Sequence, residues 1–211
     1  MLKEACAENF THVPELIERG ADRIELNDNM AQWGTTPSVG VITETLSYCH
    51  AKGIPVITMV RPRGGNFVYS ETEKKIMLQD LRIAIELGVD GIAIGALTKE
   101  SELDIPFLTE VMHLARVAEI EVTFHRAFDA IPFEKQASSL RWLAEQGITR
   151  VAIHGGDVEQ TIEETLPRLK ELSALEENII LMIAGGIRRD NIEFIRQELP
   201  SIKEAHGTKI V

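Results

Sequence analysis

The segment TFHRAFD, residues 123–129, begins like a buried strand and then becomes charged within a few residues. Its polar side chains His125, Arg126 and Asp129 are of types that transfer protons and bind anions. Histidine titrates near neutral pH, and arginine matches carboxylate and phosphate oxygens with two parallel hydrogen bonds. Two interpretations are open: these side chains line a site, or the strand simply becomes polar where it leaves the core.

Polar residues also end other short apolar runs. Glu25 lies in RIEL, Arg61 follows VITMV, and His206 lies in EAHGT. Burial can raise the pKa of a carboxylate towards neutrality, so Glu25 or His125 could move a proton. One hypothesis is therefore an enzyme that acts on a small carboxylate or phosphate by proton transfer. The candidate catalytic residues are Glu25, Arg61, His125, Arg126, Asp129 and His206.

Glycine-rich loops could hold the anion. In RPRGGNFVYS, Arg63 precedes two glycines, where backbone amides can approach an anion closely. The alternative is a solvated arginine on a flexible loop. Two later loops carry glycines at positions where many barrels bind phosphate. The candidate residues for binding an anion or cofactor are Arg63, Gly185, Gly186 and Gly207.

The positions of these residues depend on a repeated unit. GADRIEL, GVDGIAI and GITRVAI each place a glycine after a helical pattern and before a short β-branched run, and GIPVITM is a looser copy. Glycine just past a helix end supplies a left-handed cap, and the runs are too short for buried helices. The repeat is that of a βα unit.

Eight strands are predicted, with helical patterns between them. They are Leu2–Cys6, Arg23–Leu26, Pro55–Val60, Gly91–Gly95, Glu121–His125, Arg150–His154, Ile179–Ala184 and Lys203–His206. The series predicts a single α/β domain, residues 1–211, folded as a (β/α)8 TIM-type barrel. The last helix is expected to be incomplete or missing, which would leave apolar faces of the first and seventh helices available for self-association. An open doubly wound sheet is the alternative, but no G-x-G-x-x-G follows the first strand.

Strand alternation predicts which side chains face the barrel interior. Three histidines point inward, His125, His154 and His206, and could bind a transition ion, although they lie singly on separate strands. Glu4 and Arg23 lie early in their strands and favour a buried ion-pair network. The residues at the carboxyl ends are expected to surround one pocket, with Arg63 and Asp129 on its rim.

The charge and cysteine content of the chain indicate which classes of partner it binds and in which compartment it lies. The formal net charge is −11 and no lysine or arginine run occurs, which argues against nucleic acid and anionic membranes. The N-terminal MLKEACAENF lacks the apolar region of a signal peptide, and Cys6 and Cys49 do not form a disulfide framework. A cytoplasmic protein is expected, and a homo-oligomer is possible.

Several blocks in one order resemble the CutC family, named for copper homeostasis. They run from ACAENF near the start, through GADRIELNDNMAQWGTTPSVGV, VRPRGGNFVYSETE, LGVDGIAIGALT and VTFHRAFD, to EAHGT near the end. The resemblance implies a (β/α)8 barrel, a cytoplasmic location and a role in copper handling. It also implies Cu(I) as the metal and Cys6 as a ligand, since the family places a cysteine there. Many members have a second cysteine where this chain has Asn27, and here Met30 or Met59 could contribute a thioether instead.

Overall fold

Eight parallel strands close into a barrel in which β1 pairs with both β2 and β8. The computed structural model describes residues 1–157, 159–175 and 177–211. The strands are β1 (Leu2–Glu8), β2 (Arg23–Asn27), β3 (Val56–Met59), β4 (Gly91–Ile94), β5 (Glu121–Phe124), β6 (Arg150–Ile153), β7 (Ile180–Ile183) and β8 (Glu204–Gly207). The α-helices are α1 (Val13–Glu18), α2 (Val39–His50), α3 (Glu71–Leu87), α4 (Ile105–Val117), α5 (Phe133–Glu145), α6 (Ile162–Ser173) and α7 (Ile192–Glu198).

The predicted (β/α)8 barrel is confirmed, including its incomplete last unit. Within the described residues, no helix follows β8, and the two residues Ile210 and Val211 are instead buried in the apolar core. Among the described helices, none is long and apolar enough to cross a membrane.

Local sequence signals set the helix boundaries. Ser70 caps α3, and its partner Glu73 completes a reciprocal capping box, as the S-x-x-E spacing predicts. Gly88 ends the same helix with a φ of +84°, a left-handed conformation that costs glycine little. Each helix packs its apolar face on the outside of the barrel. The strand side chains that point inward therefore form the barrel interior.

Strand register brings the inward side chains together. Glu4 pairs with Arg23 and Cys6 with Glu25 across β1 and β2, and Glu4 also pairs with His206 on β8. Both β1 and β2 extend beyond their predicted ends, which carries Asn27 to the mouth of the barrel. Side chains two residues apart share a face, so Cys6 and Glu25 lie one step above Glu4 and Arg23, and His206 lies one step above Glu204.

The lower interior contains the buried ion-pair network expected for Glu4 and Arg23. Arg23 Nε donates to Glu4 at 2.5 Å, and its Nη2 donates to Glu204 at 2.5 Å. Arg150 donates to Glu204 at 3.0 Å and to Glu121 at 2.6 Å. Arg150 was not predicted to belong to the network, although alternation in RVAIH places it on the same face as His154 and could have identified it.

Candidate functional site

A cavity of about 640 Å³ opens at the carboxyl ends of the strands. Its volume lies within the range of pockets that hold small molecules. The predicted site residues that line it are Cys6, Glu25, Arg61, His125, Arg126, Asp129, Gly185, Gly186, His206 and Gly207. The loop side chains Met30, Trp33, Arg188 and Lys209 also line it. The barrel ends therefore bring together residues that are far apart in the chain.

Two sulfur atoms meet on the side of the mouth formed by β1 and β2. Cys6 Sγ lies 3.7 Å from Met30 Sδ, and Asn27 Nδ2 donates to Cys6 Sγ at 3.4 Å. Met30 begins a short 3-10 helix, and its backbone N–H donates to Glu8 at 2.9 Å. The end of β1 thus fixes the turn that carries the thioether.

His206 completes this cluster from β8. Its Nδ1 lies 2.8 Å from Glu4 Oε1, and its Nε2 lies 3.7 Å from Glu25 Oε2. Ligand atoms of Cys6, Glu25 and His206 all lie within 4.8 Å of one another. A histidine that contacts a carboxylate through one ring nitrogen presents the other for a metal, which is the usual arrangement of metal-binding histidines.

Burial and charge shift the pKa values in the cluster in different directions. Burial raises the pKa of the Cys6 thiol and that of the Glu25 carboxyl, although the neighbouring His206 opposes both shifts. Burial alone would lower the pKa of His206, but Glu25, Cys6 and Glu4 raise it well above its ordinary value. Burial would also raise the pKa of Glu4, yet its bonds to His206 and Arg23 lower it to about 2. The cluster therefore holds protons near neutral pH.

His125 occupies a different environment on the far side of the mouth. Its Nδ1 accepts a hydrogen bond from the Ala127 N–H at 3.1 Å, so the proton of the neutral ring lies on Nε2. Burial, with the charges of Arg61 and Arg126, lowers the pKa of His125 to about 3. Nε2 has no hydrogen-bond partner among the described residues. The neutral ring is therefore a donor without an acceptor.

Arg61 is held by backbone carbonyls of two loops. Its Nη1 donates to the carbonyls of Gln32, Trp33 and Gly34 at 2.9–3.2 Å, and its Nη2 donates to Gly65 at 2.8 Å. Only Nε lacks a partner within the described part of the chain. Arg61 is a predicted catalytic residue, but its terminal nitrogens already hold the loops after β2 and β3 and do not offer a free pair of donors to an anion.

Arg63 is not on the rim of the cavity, which corrects a second expectation. Its Nε donates to Glu73 at 2.5 Å, and its Nη atoms donate to the loop carbonyls of Gly64, Asn66 and Val68. The side chain folds its own loop against α3, so its hydrogen bonds are directed away from the barrel mouth.

Arg126 and Asp129 form a pair at the end of β5. Arg126 Nε donates to Asp129 at 3.2 Å, and the carboxylate also accepts from the backbone N–H groups of His154 and Gly155. Burial raises the pKa of Asp129 against these favourable contacts. Arg126 Nη2 is buried and has no partner among the described residues. Asp129 thus positions Arg126 through Nε, and neither terminal nitrogen of the guanidinium donates a hydrogen bond within the described residues.

His154 does not join the other two inward histidines. Its ring nitrogens lie 3.2 Å from the Ala184 carbonyl and 3.0 Å from the Gln160 carbonyl, and the ring packs against Gly185. A Cβ on Gly185 would lie 2.7 Å from His154 Nδ1 and 3.1 Å from Arg126 Nη1. The idea of one metal site made by three histidines is therefore wrong, and His206 alone approaches Cys6.

Comparisons with known proteins identify the family of the chain and match its fold. The model of the CutC family matches residues 1–211. A CutC family protein of Enterococcus faecalis is 48% identical over 212 residues, covering 100% of both chains. The human copper homeostasis protein cutC homolog is 36% identical over 195 residues, covering 92% of this chain and 68% of its own. The crystal structure of CutC from Streptococcus agalactiae is 39% identical, with a TM-score of 0.94 and full coverage of both chains.

The chain belongs to the CutC family. The resemblance drawn from the sequence blocks is thereby confirmed, and copper homeostasis is the role for which the family is named. Within this CutC chain, Asn27 donates a hydrogen bond to Cys6, and Met30 brings a second sulfur atom to Cys6. Sequence spacing could not place Met30 or choose between it and Met59, because the position of Met30 depends on a 3-10 helix whose N-cap, Asn29, has a left-handed φ of 51°.

Proposed function

We propose that the protein binds Cu(I) as cargo through Cys6, Met30 and His206, and that it does so in the cytoplasm. The observation that carries the proposal is the 3.7 Å distance between Cys6 Sγ and Met30 Sδ. Two sulfur atoms this close can contact one ion, and thiolate and thioether sulfur are the ligands that Cu(I) prefers. Both cysteines are free thiols, which agrees with a reducing compartment.

The surroundings of the sulfur pair support a third ligand. Glu4 contacts His206 Nδ1 at 2.8 Å, which leaves Nε2 directed towards Glu25 and the thiol. A carboxylate behind a histidine orients the ring and increases its basicity as a ligand. Cys6 and His206 must lose protons when the ion binds, and Glu25 lies close enough to take part in that exchange.

Competition against a chromophoric Cu(I) chelator tests the proposal. Replacement of Cys6 by serine, or of Met30 by leucine, should weaken Cu(I) binding at least about tenfold, since each removes a soft ligand. Met59→Leu is the matched control, because Met59 lines the same cavity but packs against Ile57 and Ala93. Equal affinity for the wild type and Cys6→Ser would overturn the proposal.

A second candidate is an enzyme that transfers a proton on a small carboxylate or phosphate. It is favoured by the Glu25–His206 pair, whose pKa values are both shifted upwards at the floor of the cavity. Such pairs suit acid–base chemistry near neutral pH. NMR in D2O would detect exchange of carbon-bound hydrogen in small carboxylates and phosphate esters. Exchange that Glu25→Gln abolishes would support the enzyme, and the absence of exchange with all of them would exclude proton transfer on these probes.

A further inference from the structure

The side of the barrel mouth formed by β5 and β7 carries donors that the copper site does not use. We infer that His125, Arg126 and the turn at Gly185–Gly186 form a subsite for the carboxylate or phosphate group of a small organic molecule. The subsite would hold the substrate of the second candidate function. Only a reaction of the bound molecule rests on that proposed function, since binding of the anion can be measured without any reaction.

His125 supplies the first donor. The residue is 7% exposed and lines the cavity, and its Nε2–H has no acceptor among the described residues. A buried donor left without a partner is costly, so an acceptor at this position is favoured. Because Arg61 and Arg126 both act on the ring with positive charge, an anionic acceptor suits the position better than a neutral one.

Arg126 supplies the charge. Asp129 holds Nε of its guanidinium at 3.2 Å, and Nη2 remains buried without a partner in the described part of the chain. A guanidinium fixed on one edge can still donate from the other, and hydrogen bonds from arginine to an oxyanion are among the stronger ones in proteins. Asp129 is already bonded to two backbone amides, so it neutralises only part of the arginine's field.

The turn after β7 lies beside this guanidinium. A Cβ on Gly185 would come within 3.1 Å of Arg126 Nη1, so only glycine leaves room for the arginine here. A Cβ on Gly186 would meet nothing within 4 Å, which means that the backbone faces open space. Neither glycine N–H donates a hydrogen bond within the described residues. Backbone amides in such turns bind anions.

The cavity indicates how large the ligand is. A volume of about 640 Å³ greatly exceeds that of a free phosphate or carboxylate ion, so the anionic group belongs to a larger molecule. Lys209 adds positive charge to the cavity wall, in a chain whose net charge is −11, whereas the charge of Arg188 is paired with Asp190 at 3.0 Å. The remainder of the ligand then extends towards Glu25 and His206.

Calorimetric titration with inorganic phosphate, acetate and glycerol phosphate tests the subsite. Arg126→Gln should weaken binding of the best of these probes at least about tenfold, and His125→Phe, which removes the Nε2–H donor, should weaken it several-fold. Arg196→Gln is the matched control, since it removes the same charge from an exposed position on α7. The titrations are run in copper-free buffer, where the anion should still bind, and this separates the subsite from the copper proposal.

Each result of these titrations either supports or overturns the proposed anion subsite. Stronger binding of acetate identifies a carboxylate ligand, and stronger binding of the two phosphates identifies a phosphate ligand; either supports the subsite if Arg126→Gln abolishes it. Equal loss in Arg126→Gln and Arg196→Gln would indicate general charge attraction and overturn the inference. If Arg126→Gln does not fold, the wild-type His125 Nε2–H resonance decides instead: it should shift on titration, and an unchanged signal with every probe overturns the inference.

Discussion

His125 and His206 show how neighbours decide the chemistry of one residue type. Both extend from the carboxyl end of a strand into the same cavity. Burial alone would lower the pKa of both rings. The positive charges of two arginines lower the pKa of His125 further, whereas the carboxylates of Glu25 and Glu4 act to raise that of His206. The pKa of His125 is therefore lowered and that of His206 raised. One ring is a neutral donor at pH 7, and the other carries a proton that a metal ion would have to displace.

The neutral state of His125 makes protein stability depend on pH. Its folded pKa of about 3 lies below the ordinary value of 6.5, so its contribution is fully present above pH 6.5 and is lost as the pH falls towards 3. Between pH 7 and pH 5 the loss should be about 2 kcal/mol in the free energy of unfolding. His125→Gln should remove this part of the pH dependence in urea unfolding, while His113→Gln on the exposed face of α4 should not. An unchanged slope in His125→Gln would show that folding leaves the pKa of His125 near its ordinary value.

At the scale of secondary-structure elements, the residue after β4 leaves space for the side chain of the residue after β5. Gly95 follows β4, and a Cβ there would lie 2.5 Å from His125 Cε1 and 2.6 Å from its Nδ1. The glycine does not serve to provide a left-handed turn, since its φ is not positive. It lets an imidazole ring lie across the neighbouring strand, and this contact holds His125 at the cavity wall.

Gly95→Ala should therefore displace His125. We expect a loss of about 1–3 kcal/mol in the free energy of unfolding from overpacking, together with weaker anion binding. Gly40→Ala in α2 is the matched control, because its Cβ would meet nothing within 4 Å and alanine favours the helix. Urea unfolding of both variants checks the difference; a Gly95→Ala protein as stable as the wild type would contradict the packing argument.

At the scale of the whole molecule, the lower ion-pair network joins strands from distant parts of the chain. Glu121, Arg150, Glu204, Arg23 and Glu4 form a continuous series across β5, β6, β8, β2 and β1. Most of these groups are buried, so each charge depends on its partners to offset the loss of water. The network continues upwards through Glu4 to His206, which links the closed end of the barrel to the site.

Removal of one network member should be costly. Arg150→Met leaves Glu204 with Arg23 as its one remaining arginine partner in the described network, and we expect a loss of about 3–5 kcal/mol in the free energy of unfolding. Arg116→Met on the exposed side of α4 should change stability by less than about 0.5 kcal/mol. Thermal and urea unfolding compare the two; similar small effects would mean that water replaces the lost partner.

Self-association stays a prediction. No described helix covers β8, the short α1 and α7 lie on either side, and Phe194 on α7 is partly exposed. Apolar side chains at such a gap favour contact with a second copy of the chain. Light scattering after size-exclusion chromatography should show a dimer that Phe194→Glu converts to a monomer. A wild-type monomer at high concentration would contradict it.

The sequence by itself determined the repeated βα unit, the closed barrel and the family, because glycine caps, short β-branched runs and ordered blocks are local signals. Alternation along the strands also determined that Glu25, His125 and His206 face inward. It could not determine distances across the mouth. The Cys6–Met30 contact depends on a left-handed turn at Asn29. The hydrogen bonds that occupy Arg61 depend on carbonyls from another loop. Arg63 and His154 likewise have partners that no periodicity encodes. Only the tertiary structure decided these contacts, since loop conformation and hydrogen-bond competition arise when distant segments pack together.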